Sequence, residues 1–129
     1  MLTRQPEELH QFFVSCVNAH DVDALLALYE HDATVADMAG QPLQGPGNLR
    51  AFLTGFLAAV KRIEGETRKV LISGEIALLS SSWHAVLATP DGGDTTVTGT
   101  SAEIARRQSD GTWRFLLDDP QFVHIPPQA

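Results

Sequence analysis

The chain has 129 residues, 43% of them hydrophobic, which suits one globular domain (residues 1–129) with its own core. Its formal net charge is -7 and its nine Lys and Arg residues are scattered, which argues against nucleic-acid and anionic-membrane partners. A single cysteine, Cys16, excludes an internal disulfide and a thiolate metal cluster. With neither a signal-peptide core nor an apolar run of ~20 residues, the sequence predicts a cytoplasmic protein.

The first half of the chain has the apolar spacing of helices. Pro6 suits the first turn of a helix that should end near Ala19, and Asp21 is placed to cap the second helix. Pro46 opens a third helix. The predicted buried stripes of the three helices are, in order, Leu9, Phe12, Phe13, Cys16 and Val17; Val22, Leu25, Leu26 and Tyr29; and Leu49, Phe52, Leu53, Phe56, Leu57 and Val60.

Strand patterns occupy the second half. A short strand over 34–38 precedes the third helix, and four antiparallel strands are predicted near 67–73, 76–89, 95–108 and 112–119. Pro120 cannot donate to a strand ladder and should end the last strand, and the prolines at 126–127 indicate a tail with little regular structure. Helices followed by a sheet indicate the α+β class.

The element order, together with the sequences at 18–21 (NAHD), 32–35 (DATV) and 110–114 (DGTWR), resembles the nuclear-transport-factor-two-like superfamily. Its SnoaL-like and ketosteroid-isomerase-like branches are the most similar. The resemblance implies a cone-shaped α+β fold in which a curved antiparallel sheet wraps around three N-terminal helices and leaves a conical pocket. Members of the superfamily include isomerases, cyclases, dehydratases and non-catalytic association domains, so the resemblance predicts fold more closely than activity.

The resemblance also implies site residues. Asp37 matches the aspartate that removes a proton next to a carbonyl in the isomerases, and Glu103 matches their protonated acid, which donates to the developing oxyanion. Phe13 stands where the isomerases have a tyrosine, and a phenyl ring has no O–H to donate. We therefore expect a pocket for a small apolar ligand, with isomerase, cyclase or dehydratase chemistry on a carbonyl compound. The alternative is a non-catalytic ligand-binding or homodimeric association module.

Strand alternation extends the predicted site. Ser80, Ser82 and His84 share one strand face, and if Glu103 points into the cone these residues should do so too. His84 then becomes a third candidate catalytic residue beside Asp37 and Glu103. The predicted ligand-binding residues are Phe13, Tyr29, Ser80, Ser82, Leu116 and Asp118.

The same register predicts an apolar outer sheet face. A soluble monomer rarely exposes such a patch, so we expect a homodimer that packs sheet against sheet, as the resemblance implies. The opposite register, with this set lining the pocket, is the alternative. The residues predicted to form the face are Leu79, Trp83, Leu87, Ile104, Trp113, Phe115 and Leu117.

Each candidate has a simpler interpretation. Asp37 could cap the turn toward Gly40, Glu103 could pair with Arg106 or Arg107 on a solvated strand, and His84 could be an edge histidine. The other histidines lack metal-ligand spacing and are predicted to be surface or loop residues, so we expect no metal and no cofactor. They are His10, His20, His31 and His124.

Overall fold

The computed structural model of the protein describes residues 3–123, and its first half contains three helices. They are α1 (Glu8–Asn18), α2 (Val22–Leu26) and α3 (Pro46–Ala59). The Asp21 side chain accepts a hydrogen bond from the Ala24 backbone N–H, which confirms it as the cap of α2. Pro46 opens α3, because a proline at the first helical position loses no needed N–H.

Seven strands form one sheet in the order β2-β1-β7-β6-β4-β3, and β5 pairs with the free part of β4. The sheet is curved and mixed, because β1 and β7 run parallel while the other pairs are antiparallel. This confirms the α+β cone, with one parallel pair in place of a wholly antiparallel sheet. The strands are β1 (Tyr29–Ala36), β2 (Pro42–Gln44), β3 (Val60–Ser73), β4 (Ile76–Ala88), β5 (Asp94–Thr100), β6 (Ala102–Arg107) and β7 (Trp113–Asp119).

Several strand boundaries differ from those predicted. β3 begins directly after α3 rather than near residue 67, β2 was not predicted, and Tyr29 begins β1 instead of ending a helical stripe. The predicted strand 95–108 is divided at Ser101, whose backbone N–H donates to Ser81 O while its Oγ accepts from the Ser81 N–H. The last strand ends before Pro120 as expected. The predicted tail at 126–127 and His124 lie outside the described residues.

The predicted register of β4 is wrong. Leu79 pairs directly with Glu103, and paired residues share a face, so Leu79, Ser81 and Trp83 point into the cone with Glu103. Ser80 and His84 therefore point outward. The prediction placed the polar residues of β4 on the same face as Glu103. In the structure that inner face is apolar except for Ser81.

The core lies between the helices and the inner sheet face. Three residues predicted to be on the outer face, Leu79, Trp113 and Phe115, are instead buried in this core, and Trp83 lines the pocket. Of the predicted outer set, Ile104 and Leu117 do lie on the outer face, where they pair with each other across β6 and β7 and Leu117 is 43% exposed. No helix within residues 3–123 has the length and hydrophobicity needed to cross a membrane.

Candidate active site

A cavity opens between α1, α3 and the inner face of the sheet. Its walls surround about 700 Å³ of space free of protein atoms, a figure that includes open solvent at its mouth. Most of its wall is apolar, and the polar side chains come mainly from the sheet. The lining residues are His10, Phe13, Val14, Tyr29, Met38, Phe52, Leu53, Phe56, Ile63, Gly65, Ser81, Trp83, Ser101, Glu103, Phe115, Asp118 and Pro120.

Two carboxyl groups face each other at the polar end of this cavity. Glu103 on β6 and Asp118 on β7 are direct cross-strand partners, and they are only 4% and 8% exposed. Directly opposed like charges are unfavourable, and more so when both are removed from water. Burial, and then the nearby charge of Glu103, raise the pKa of Asp118 from its ordinary 3.8 to about 8. At neutral pH Asp118 is therefore mainly a neutral carboxylic acid.

Tyr29 holds the Asp118 carboxyl in place. The Tyr29 hydroxyl donates to Asp118 Oδ2 over 2.6 Å, and its ring packs against that of Phe115 at a tilt of 45°, with 5.2 Å between the ring centres. This hydrogen bond favours the ionised form of Asp118 and so opposes the effects of burial and of Glu103. Burial and the neighbouring Asp118 in turn raise the pKa of Tyr29 well above its ordinary value. Tyr29 therefore remains a hydrogen-bond donor throughout the neutral range.

His10 on α1 is the partner of Glu103. Its Nε2 lies 2.8 Å from Glu103 Oε1, and its Nδ1 lies 2.7 Å from Thr67 Oγ1 on β3. The Thr67 hydroxyl in turn lies 3.5 Å from the Glu7 carbonyl oxygen. His10 is only 6% exposed, so its prediction as a surface or loop residue is wrong. The histidine fixes the Glu103 carboxyl against the inner wall.

This arrangement can perform acid–base chemistry. A neutral acid and a second carboxyl positioned by a histidine stand on adjacent strands, at the end of a cavity that is otherwise largely apolar. Such pairs of titratable groups in unlike environments can divide the roles of acid and base. Ser81 and Ser101, whose Oγ atoms are 2.7 Å apart, add two hydroxyl groups to the wall.

Four of the sequence-predicted site residues line the cavity: Phe13, Tyr29, Glu103 and Asp118. Asp37 does not, because β1 ends at Ala36 and Asp37 begins the turn to β2. Its Oδ1 accepts hydrogen bonds from the backbone N–H groups of Ala39 and Gln41, both at 2.9 Å. Asp37 thus has the turn-capping role given above as its simpler interpretation.

The remaining predicted residues also lie away from the cavity wall. His84 is exposed and pairs with Glu64 at 3.4 Å, and the Ser80 hydroxyl donates to the Ser101 carbonyl oxygen at 2.6 Å. Ser82 shares the face of these two residues, since it alternates with the inward Ser81 and Trp83. Leu116 is half-buried and does not line the cavity.

His10 was recognisable from the sequence. It shares a helical face with Phe13, Val14 and Val17, at the i, i+3, i+4, i+7 spacing of a buried stripe. Two of these, Phe13 and Val14, line the cavity beside it. The signal was present in the spacing, but a test for metal-ligand spacing alone does not detect it.

Comparisons with known proteins agree with this architecture. A ketosteroid isomerase-like protein from Erwinia carotovora atroseptica matches with a TM-score of 0.79 and 17% identity, over 88% of this chain and 89% of its own. A nuclear transport factor 2-like superfamily protein from Salmonella enterica matches with a TM-score of 0.76 and 13% identity, over 95% of this chain and 89% of its own. A dehydratase candidate of the same superfamily from Streptomyces avermitilis matches with a TM-score of 0.73 and 15% identity, over 87% of this chain and 91% of its own.

These identities are low enough that the likeness shows the fold alone. No curated protein matches the chain. The sequence profile of the SnoaL-like domain, however, matches residues 9–121, nearly the whole of the chain. The protein is therefore a member of the SnoaL-like domain family, with the nuclear-transport-factor-two-like fold.

Proposed function

We propose that the cone binds a small, largely apolar carbonyl compound and performs acid–base chemistry of the isomerase, cyclase or dehydratase type. The observation that carries this proposal is the buried pair of opposed carboxyl groups, Glu103 and Asp118, at the end of an apolar cavity. Burying two carboxyls together costs stability, and such arrangements concentrate at functional sites.

Asp118 is the acid in this proposal. Tyr29 already donates to its Oδ2, so the acid proton of Asp118 remains available to a ligand oxygen from the other carboxyl oxygen. A ligand carbonyl that accepts this proton or shares it becomes more acidic at its neighbouring carbon. Asp118 thus supplies the oxyanion donor that Phe13 cannot.

Glu103 is the base. It takes the proton from the carbon next to the ligand carbonyl, and the electron pair of that C–H bond forms the enol whose oxygen Asp118 stabilises. Return of that proton from Glu103 to another carbon gives isomerisation. Its transfer from Glu103 to a hydroxyl on the next carbon gives dehydration, because the enol electrons form a C=C bond as the C–O bond breaks and water leaves. His10 positions Glu103 by its 2.8 Å contact and takes no carbon-bound proton itself. The similarity in fold to a dehydratase candidate and to an isomerase-like protein supports this range of reactions.

Deuterium exchange at the carbon next to a carbonyl tests the proposal. The protein should catalyse exchange from D₂O into members of a panel of cyclic ketones that includes 2-tetralone. Asp118→Asn and Glu103→Gln should each lower the exchange rate by roughly 10²- to 10⁴-fold, the usual contribution of a positioned acid or base.

Asp37→Asn is the matched control, since Asp37 caps a turn outside the cavity. Exchange in this variant should equal that of the native protein. The proposal fails if no ketone in the panel exchanges, or if exchange persists unchanged in both cavity variants.

A second function, association through the sheet, has an observation of its own. The outer face exposes a set of apolar side chains that a soluble monomer seldom leaves uncovered. We propose that a second copy of the chain packs on this face, in an isologous homodimer. The exposed apolar residues of this face, 39% to 55% accessible, are Leu71, Ile76, Leu78 and Leu117.

Sedimentation measures this association. The native protein should be a dimer at micromolar concentration, and Leu78→Glu should shift it to monomer because a charge would then lie in the buried contact. Thr54→Glu, at an exposed position of α3 on the opposite side of the sheet, should leave the dimer intact. A native protein that sediments as a monomer would refute the dimer without affecting the argument for the cavity.

A further inference from the structure

We propose that Trp83 makes the cavity selective for ligands with a flat, conjugated ring, because its indole forms a rigid planar wall. The inference deepens the function proposed above, since it concerns the same cavity and names the class of compound that fits it. It depends on how the neighbouring strands hold this side chain rather than on the carboxyl pair.

Glycines flank Trp83 on both sides. On β3 its cross-strand partner is Gly65, and on β5 its partner is Gly99. A Cβ atom added to Gly99 would lie 2.6 Å from Cε2 and Cζ2 of the indole and 2.7 Å from its Nε1, closer than real Cβ contacts occur. The indole therefore lies directly against the backbone of Gly99, in space that only glycine leaves open. A Cβ on Gly65 would also be tight, at 3.2 Å from Trp83 Cβ.

A hydrogen bond fixes the rotation of the ring. Trp83 Nε1 donates to the Pro120 carbonyl oxygen over 2.7 Å, just beyond the end of β7. The ring is thus held at its edge by Pro120 and lies against Gly99. Trp83 and Gly65 line the cavity whereas Gly99 does not, as expected if the indole covers it. The other face of the indole is left for the ligand.

The opposite wall is aromatic as well. Phe13 on α1 and Phe52 and Phe56 on α3 line the cavity from the helical side. A ligand between these rings and the indole occupies a space with aromatic surfaces on two sides. A flat conjugated ring can stack there, whereas a saturated ring of the same carbon skeleton is puckered and gains no stacking interaction.

The ring site and the carboxyl pair are at suitable positions for one ligand. Pro120 follows Asp118 by two residues, which corresponds to ~7 Å along an extended chain. A ring stacked on Trp83 can therefore direct an oxygen substituent toward the Asp118 acid. The inferred ligand class is a conjugated one- or two-ring compound with a carbonyl, enol or phenol oxygen at one end.

Calorimetric titration with two alcohols of one skeleton tests the inference. The probes are 2-naphthol, which is flat, and decahydro-2-naphthol, which is saturated and puckered. The native protein should bind 2-naphthol at least tenfold more tightly, and Trp83→Leu should reduce this preference to about threefold or less, because it removes the stacking surface. Met38→Leu, a non-aromatic change in the cavity wall, should retain the preference.

A second pair of variants keeps the indole but moves it. Gly99→Ala should displace the ring and lower the preference for 2-naphthol, whereas Gly55→Ala should not, since a Cβ at Gly55 meets nothing within 4 Å. Circular dichroism verifies that each variant is folded. The inference is overturned if the native protein does not bind 2-naphthol, if it binds both alcohols equally, or if Trp83→Leu retains the native preference.

Two measurements distinguish this inference from the proposed chemistry: the ratio of the affinities for the two alcohols, and the rate of ketone proton exchange. A phenol O–H is more acidic than an aliphatic one, so Asp118→Asn should weaken the two alcohols unequally; the ring site is therefore read from the ratio of their affinities in the native protein and in Trp83→Leu, both with Asp118 intact. A protein that retains the ratio but exchanges no ketone proton would contradict the acid–base function and support the ring site. A protein that exchanges ketone protons without a ring preference would do the reverse.

Discussion

Asp118→Asn is expected to stabilise the protein near pH 8 and to remove a large part of the dependence of its stability on pH. Asparagine has nearly the shape of aspartate and its carbonyl oxygen can still accept from Tyr29. It has no charge to bury, however, and does not repel Glu103. Urea unfolding of both proteins from pH 4 to pH 8 measures the effect.

The direction follows from proton uptake. The pKa of Asp118 is about 8 in the folded protein against an ordinary 3.8, so between these values the folded chain holds a proton that the unfolded chain has released. Raising the pH across this window therefore destabilises the fold, by up to roughly 1 kcal/mol or slightly more per pH unit. From pH 4 to pH 8, the free energy of unfolding of Asp118→Asn should rise relative to that of the native protein by on the order of a few kcal/mol.

Other carboxyls act in the opposite direction and at lower pH. A hydrogen bond from Arg106 lowers the pKa of Glu30. The stability that Glu30 contributes is therefore lost as the pH falls below about 4.5, and it is the same in both proteins. Asp32→Asn, at an aspartate whose side chain is 83% exposed, is the matched control and should follow the native curve. Parallel curves for the native protein and Asp118→Asn would show that Asp118 is not a neutral acid in the fold.

His10→Leu should destabilise the protein by about 1–3 kcal/mol, the usual effect of leaving a buried polar group without its hydrogen-bond partner. Glu103 would then remain at 4% exposure without its 2.8 Å partner. Replacing both residues, as His10→Leu with Glu103→Leu, should recover most of the loss, because two apolar side chains need no partner. Equilibrium unfolding of the two single variants and the double variant gives the coupling free energy directly.

The exposed pair of His84 and Glu64 provides the comparison. These groups are 3.4 Å apart with side chains 50% and 71% accessible, so His84→Leu should change stability by less than about 1 kcal/mol. Equal effects of His10→Leu and His84→Leu would mean that the buried contact contributes no more than a surface pair. The positioning role of His10 would then have no energetic support.

The fold was predictable from the sequence because its signals are local. The helical stripes, Asp21 as a cap, Pro46 as a helix start and Pro120 as a strand end each depend on the chemistry of a few consecutive residues. The three-residue strand β2 was not predicted. It is held to β1 by the turn that Asp37 caps, and so short a strand has no periodicity of its own.

The site was only partly predictable because it depends on register. A shift of one residue moves every side chain of a strand to the other face, and the pairing of Leu79 with Glu103 places Ser80, Ser82 and His84 outside. Irregularities between Ile104 and Ala105 further change the alternation, and alternation alone does not reveal them.

Glu103 and Asp118 were predicted to point inward, but their direct opposition was not. It arises because β6 and β7, which a turn connects, pair in the register that places Glu103 directly opposite Asp118. The raised pKa of Asp118 is a consequence of this opposition and of burial, both of which appear only in the assembled sheet.

Carboxyl ¹³C NMR of the protein labelled at aspartate tests the central claim most directly, namely that the cone holds a neutral carboxylic acid at neutral pH. The resonance that disappears in Asp118→Asn should have the chemical shift of a protonated carboxyl at pH 6 and should titrate near pH 8. An Asp118 resonance that is already ionised at pH 6 and titrates near the ordinary value of aspartate would contradict the account.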